Sequence, residues 1–263
     1  MPTFTEANTV RDLIRDGVSA MGATFVAGTD LDRETKDVLL TGSVRAALAR
    51  LNPDIAANPD KAEQVLYQLN GIIREARQNP HPITQNEGFM SWLLEGKSLP
   101  LGEDDEHVTI RFFDFDDPAA NEWIVSTEVT FARKQVSKRF DLVIWCNGFP
   151  LVVGEAKNPT RPSESWMDGA TQIHDDYEQT VAPFFVPNVF VFATEGKELR
   201  YGSVGMPIEK WGPWRDETAA GDHPKSGIAA VQEAVRGLLN PVAVLEFLRF
   251  FTTFATDKKH HKI

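Results

Sequence analysis

The stretch "RFDLVIWCNGFPLVVGEAK", Arg139 to Lys157, narrows the folds open to this chain. Two short apolar runs flank Asn147-Gly148, a dipeptide that favours a β-hairpin turn because it accepts positive φ. The runs are apolar on both faces, which predicts strands inside a sheet covered on both sides. Three charges nevertheless gather at one end: Asp141 heads the first run, and Glu155 and Lys157 close the second. On a surface strand an E-x-K pair is commonly a solvated ion pair. At the end of a buried strand such charges are costly unless they are paired or metal-bound, so the pattern points to a site.

Alternate residues of a strand share a face, which sets Leu151, Val153, Glu155 and Lys157 on one side and Asp141 with Val143 and Trp145. Whether the two sets coincide depends on the turn. A two-residue Asn147-Gly148 turn pairs Cys146 with Phe149 and puts Asp141 opposite Gly154, on the face away from Glu155. A three-residue loop, with Gly148 in the left-handed position of a bulge, puts Asp141 opposite Val153 and diagonal to Glu155, where a metal ion could sit between them. The spacing permits both.

The rest of the chain reads as an α/β protein. Thr3 and Glu6 have capping-box spacing ahead of Val10, Leu13, Ile14, Val18 and Met21, which predicts a first helix stopping at Gly22. "DVLLTGSVRAALARLNPD" predicts a short strand and a helix ending near Asn52-Pro53, and "KAEQVLYQLNGIIREAR" another helix. From Val108 the period shifts to two: "VTIRFFDF", "EWIVSTEVTF", the hairpin, then "NVFVFATEG" and "ELRYGS" as strands, with a helix from Gly169 to Thr180 between them. Residues 206–225 predict an irregular surface connection, and two helices broken at Asn240-Pro241 follow.

A formal charge of -11 argues against non-specific coating of nucleic acid, so any such contact is expected to be local. The single cysteine, Cys146, has no internal disulfide partner, and the N-terminal residues lack the pattern of a secretory signal. A cytoplasmic protein without a membrane span is expected.

Asp141, a turn and Glu155-Ala156-Lys157 match the PD-(D/E)XK nuclease motif, with Phe140 in place of its proline. Around it, "LARLNP", "RFFDFDDPAANEWIVSTEVTF", "TQIHDDYEQTVAPFFVPNVFVFATEGKELRYG" and "LEFLRFFTTF" follow in an order that resembles the restriction (R) subunit of Type I restriction-modification systems over nearly the whole chain. The resemblance implies a restriction-endonuclease-like core, a mixed β-sheet flanked by helices, with extra N-terminal and C-terminal helices. It implies a nuclease domain over 1–225 and a helical connector over 226–263 leading to an ATP-dependent translocase. The "GKS" at Gly96 to Ser98 has Ser91 where a Walker A loop has its first glycine, so no ATP site is expected in this region.

The resemblance also implies roles. Asp141 and Glu155, with the backbone carbonyl of Ala156, would hold Mg²⁺, and Lys157 would orient the attacking water or stabilise charge on the phosphate. Glu6 is either a capping residue or a further metal-side carboxylate from the first helix. Gln172 and Tyr177 resemble a glutamine-tyrosine pair, but five residues apart instead of four, which sets them about 140° apart around an α-helix. Gln172 is retained as a site residue and Tyr177 as a nucleic-acid contact.

Arg133, Lys134, Lys138, Arg139 and Arg161 make this the most basic part of an acidic chain, and they are candidate phosphate contacts. Asp114, Asp116 and Asp117 read as turn chemistry before Pro118, and His174, Asp175 and Asp176 as a solvated face. The implied partners are double-stranded DNA, methylation and specificity subunits, and the helicase-like motor. Two other readings stay open: a catalytically silent docking module, and a metal-dependent hydrolase acting on something other than DNA.

Overall fold

The helical spacing of Val10, Ile14 and Val18 produces α1 (Ala7–Ser19) in a computed structural model that describes residues 7–76, 82–100, 106–161, 163–215, 226–255 and 261–262. The proposed Thr3 and Glu6 capping box lies outside the described residues. Gly22 follows α1 with φ 108°, a left-handed stop. After β1 (Thr24–Phe25) come α2 (Thr41–Leu51), α3 (Pro53–Ala57), α4 (Asp60–Glu75) and α5 (Ile83–Glu95).

The strand expected at Asp37–Leu40 does not form. Val38, Leu39 and Leu40 are buried, and Leu40 N–H donates to Gly148 O at 3.0 Å, so this apolar run anchors the start of α2 on the hairpin turn. "VTIRFFDF" is likewise mostly not a strand. Only β3 (His107–Thr109) pairs, antiparallel to β2 (Ser98–Pro100). Beyond it the side-chain amide of Asn52 bonds both N–H and C=O of Arg111, at 2.8 and 2.9 Å, in place of a neighbouring strand. Phe112 and Phe113 pack edge-on against Phe149, with centroids 5.8 and 5.5 Å apart.

The main sheet is built from β4 (Trp123–Arg133), β5 (Val136–Cys146), β6 (Phe149–Ala156), β7 (Phe190–Thr194), β8 (Leu199–Gly202) and β9 (Gly212–Pro213), in the order β1-β4-β5-β6-β7-β8-β9. β1–β4 and β6–β7 are parallel and the other pairs antiparallel, the mixed sheet of a PD-(D/E)XK-like core. β6 is buried along its whole length, as its two apolar faces require.

Helices cover the sheet. α1 packs across β4, β5 and β6, while α6 (Trp166–Thr171), a turn of π-helix (Gln172–Tyr177) and α7 (Glu178–Thr180) link β6 to β7. Gly169 lets α6 approach: a Cβ there would lie 3.1 Å from Ala193 Cβ and 3.4 Å from Glu155 Cγ. α8 (Ile228–Leu238) and α9 (Pro241–Phe250), broken at Asn240-Pro241 as expected, contribute Val231, Val235, Leu238, Val244 and Leu248 to the same core.

Candidate active site

Asn147 (φ 48°) and Gly148 (φ 83°) are both left-handed, and Cys146 pairs with Phe149, so the turn has two residues. By strand parity alone that turn separates the carboxylates. The separation is undone two residues later: Trp145 pairs with Pro150, but Ile144 pairs with Val152, leaving Leu151 as an extra residue in β6. The bulge shifts the register by one, giving Leu142 opposite Gly154 and, one step on, Asp141 across from Glu155. Neither hairpin geometry considered from the sequence contained this bulge.

At Asp141 the ladder opens on both sides. Pairing with β6 stops at Leu142, and pairing with β4 passes from Thr127–Leu142 to Val129–Phe140, skipping Glu128. Asp141 Oδ2 accepts from Ala156 N–H at 2.9 Å, so the aspartate side chain replaces a strand-to-strand bond and fastens β5 beside Glu155. Lys157 Nζ lies 3.0 Å from Glu155 Oε1 and also donates to Gln172 Oε1. The sequence-predicted Asp141, Glu155, Ala156, Lys157 and Gln172 are therefore linked in one cluster of contacts.

The electrostatics of the pocket are unbalanced. Burial, and then the charge of Asp141, raise the Glu155 carboxyl to about pH 7. Burial also raises Asp141, against the Ala156 N–H and Lys157, which favour its ionised form. Glu155 Oε2 is buried without a hydrogen-bond partner. Two desolvated carboxylates, one with an orphan oxygen, fit a hard divalent cation, which would favour both ionised forms and take oxygen ligands. Among the described residues no group of three or more His, Cys, Asp or Glu side chains gathers, so the protein donors here are Asp141, Glu155 and backbone oxygen. Glu6 lies outside the described residues.

The five-residue spacing of Gln172 and Tyr177 has a structural answer. Residues Gln172–Tyr177 form a π-helical turn, in which Glu178 N–H bonds Ile173 O five residues back. Residues five apart then stack, so the 140° divergence expected of an α-helix does not occur, and Gln172 Nε2 meets Tyr177 Oη. Tyr177 Oη also donates to Arg139 O at 3.2 Å, and its ring packs edge-on against Phe140 at 5.2 Å. The expectation that Tyr177 touches nucleic acid is corrected: the residue is 3% exposed and acts as a buried post for Gln172.

Three of the basic candidates are engaged in ion pairs. Lys138 pairs with Asp176 at 2.7 Å, Arg161 with Glu164 at 2.7 Å and Arg139 with Glu128 at 3.5 Å. Arg133 closes β4, and Lys134 sits exposed in the β4–β5 turn with φ 53°. The Asp175–Asp176 face is therefore partly a counter-charge to Lys138. Asp114 is turn chemistry as expected, its Oδ1 accepting from the N–H groups of Asp116 and Asp117 at 3.1 and 2.9 Å.

Two residues near the pocket escape sequence reasoning. Arg11, on α1, lies close enough to favour ionised Asp141, and its Nη1 is 3.1 Å from Glu128 Oε1. Glu128 is a non-glycine residue with φ 57° in the middle of β4. The only available sequence signal was a charge on the inner part of an amphipathic helix, which is not specific.

Comparison with known proteins agrees with this architecture. The family model described as the Type I restriction enzyme R protein N terminus matches residues 3–209. The Type I restriction enzyme HindI endonuclease subunit of Haemophilus influenzae is 23% identical over 95% of this chain and 24% of its own length. A putative Type I restriction enzyme MjaIXP endonuclease subunit of Methanocaldococcus jannaschii is 24% identical over 73% of this chain and 18% of its own length. The chain thus spans about a quarter or less of each of these relatives. A match over residues 3–209, together with the mixed sheet and its converged acidic pocket, shows that the chain belongs to the family of Type I restriction enzyme R protein N-terminal domains.

Proposed function

We propose that the chain is the Mg²⁺-dependent DNA endonuclease domain of a Type I restriction R subunit. The observation that carries this reading is the cluster of Asp141, Glu155 and Lys157, with Asp141 bonded to the Ala156 amide and Lys157 to Glu155 and Gln172. Asp141, Glu155 and the Ala156 carbonyl would hold Mg²⁺, and the chemistry it would supply there is a more acidic water and neutralised phosphate charge. Asp141 ties β5 to the end of β6 through the Ala156 amide, which keeps its carboxylate near that of Glu155.

Lys157 supplies a fixed positive charge to the phosphate, held by Glu155 on one side and Gln172 on the other. Such a preset donor acts most strongly where water is excluded, and Lys157 is largely buried, with a side chain 17% exposed. Gln172 is itself held by Tyr177, which is tied to the β5 backbone at Arg139. In this reading target choice belongs to specificity and methylation subunits, and DNA delivery to an ATP-driven motor, as the family resemblance implies.

The test is Asp141→Ala or Lys157→Ala in the assembled enzyme, following duplex cleavage and ATP hydrolysis in parallel. Cleavage is expected to fall by at least about 10³-fold while ATP hydrolysis continues. Unimpaired cleavage in either variant rules the assignment out. Growth of Mn²⁺ density between Asp141 and Glu155 in soaked crystals checks the metal independently.

A further inference from the structure

Glu128 is out of place as a simple strand residue. It occupies β4 directly across from Asp141, where the pairing skips a step, and it holds φ 57°, a left-handed conformation that is strained for a side chain of this size. The conformation is locked from behind. Gly28 N–H donates to Thr127 O at 2.9 Å, and a Cβ on Gly28 would lie 2.5 Å from Glu128 O. Exposed ion pairs contribute little to stability and are no reason to maintain such strain.

The strained backbone presents one carboxylate oxygen to two guanidinium groups. Arg11 Nη1 lies 3.1 Å and Arg139 Nη1 3.5 Å from the same Glu128 Oε1. Arg11 is largely buried, with its side chain 14% exposed, and its Nε is buried without a hydrogen bond. Arg139 (63%) and Glu128 (45%) are open to solvent. Two arginines from different elements, α1 and β5, thus converge on a single anionic oxygen at the rim of the Asp141 and Glu155 pocket.

We infer that Arg11 and Arg139 form a fork for a backbone phosphate of duplex DNA, and that the Glu128 carboxylate is the placeholder that holds the fork open until DNA displaces it. Guanidinium binds carboxylate and phosphate oxygens through the same donor geometry, so one anion can replace the other without rebuilding the site. The exchange also supplies a local positive site on an acidic domain, where four nearby cations are otherwise committed or peripheral. The fork rests on the nuclease reading for its ligand and predicts a contact on a phosphate next to the one that is cut.

The test is duplex binding by the 263-residue chain in EDTA, followed by fluorescence anisotropy of a short labelled duplex between about 20 and 200 mM salt. Arg11→Ala and Arg139→Ala are each expected to weaken binding about tenfold and to reduce the slope of log K against log salt by about 0.9. Glu128→Gln is expected to tighten binding, and to do so much less in an Arg11→Ala background. Arg139 is exposed, so its variant carries the test if Arg11→Ala misfolds. Wild-type affinity and slope in Arg139→Ala, weaker binding in Glu128→Gln, or no measurable wild-type binding at about 20 mM salt each overturns the fork. Cleavage by assembled Asp141→Asn enzyme reads the nuclease assignment separately, because it can fail or hold whatever the anisotropy shows.

Discussion

Glu155→Gln removes one titrating carboxyl from the pocket while keeping its shape. In the folded chain Glu155 retains its proton up to about pH 7, against 4.5 for an ordinary glutamate, chiefly through burial and secondly through Asp141. Between these values the folded protein binds more protons than the unfolded one. Stability therefore falls as pH rises through that window and levels off above it. At about 1.4 kcal/mol per pH unit, the wild type loses about 3 kcal/mol that the glutamine variant keeps. The assay is urea unfolding of both proteins in EDTA from about pH 4.5 to 8, where the stability difference between them should shift by that amount, equivalent to roughly 6–12 °C in Tm. Mg²⁺ added at the alkaline end should restore the wild type and leave the variant unchanged, because the cation binds the ionised carboxylate. A difference independent of pH, or equal stabilisation of both proteins by Mg²⁺, would refute the reasoning.

Tyr177→Phe removes the hydroxyl that holds Gln172 and should lower cleavage by the assembled enzyme about tenfold, with only about 1 kcal/mol lost from urea stability. Asn147→Ala deletes bonds from its side chain to Glu122 N–H (2.9 Å), Phe112 O (2.9 Å) and Asn121 Oδ1 (2.8 Å) at a left-handed position, and should destabilise the chain by about 3–5 kcal/mol in urea melts. Gly28→Ala drives a methyl into the Glu128 carbonyl, and should cost about 1–3 kcal/mol in urea melts.

The hairpin, the strand character on either side of it and the α8–α9 break at Asn240-Pro241 were legible in the sequence because each has a local cause. Asn-Gly accepts two positive φ values, β-branched and aromatic runs favour extended chain, and proline ends a helix. The apolar runs at Val38–Leu40 and Ile110–Phe113 misled for the complementary reason. Burial alone does not distinguish a strand from a packed segment whose backbone is bonded elsewhere, to Gly148 O in one case and to the Asn52 amide in the other.

The identities of Asp141, Glu155 and Lys157 stood out as charges at the ends of buried strands and Gln172 through the family resemblance, and that much belonged to the sequence alone. Their convergence did not. It required Leu151 to bulge, which shifts every later residue of β6 by one against β5, and a π-turn that absorbs the extra residue between Gln172 and Tyr177. Both are decisions about register, made by packing between elements distant in the chain, and no single segment encodes them. The pairing of Arg11 and Arg139 on Glu128 is of the same kind: three elements meet at one oxygen, and only the folded chain brings them there.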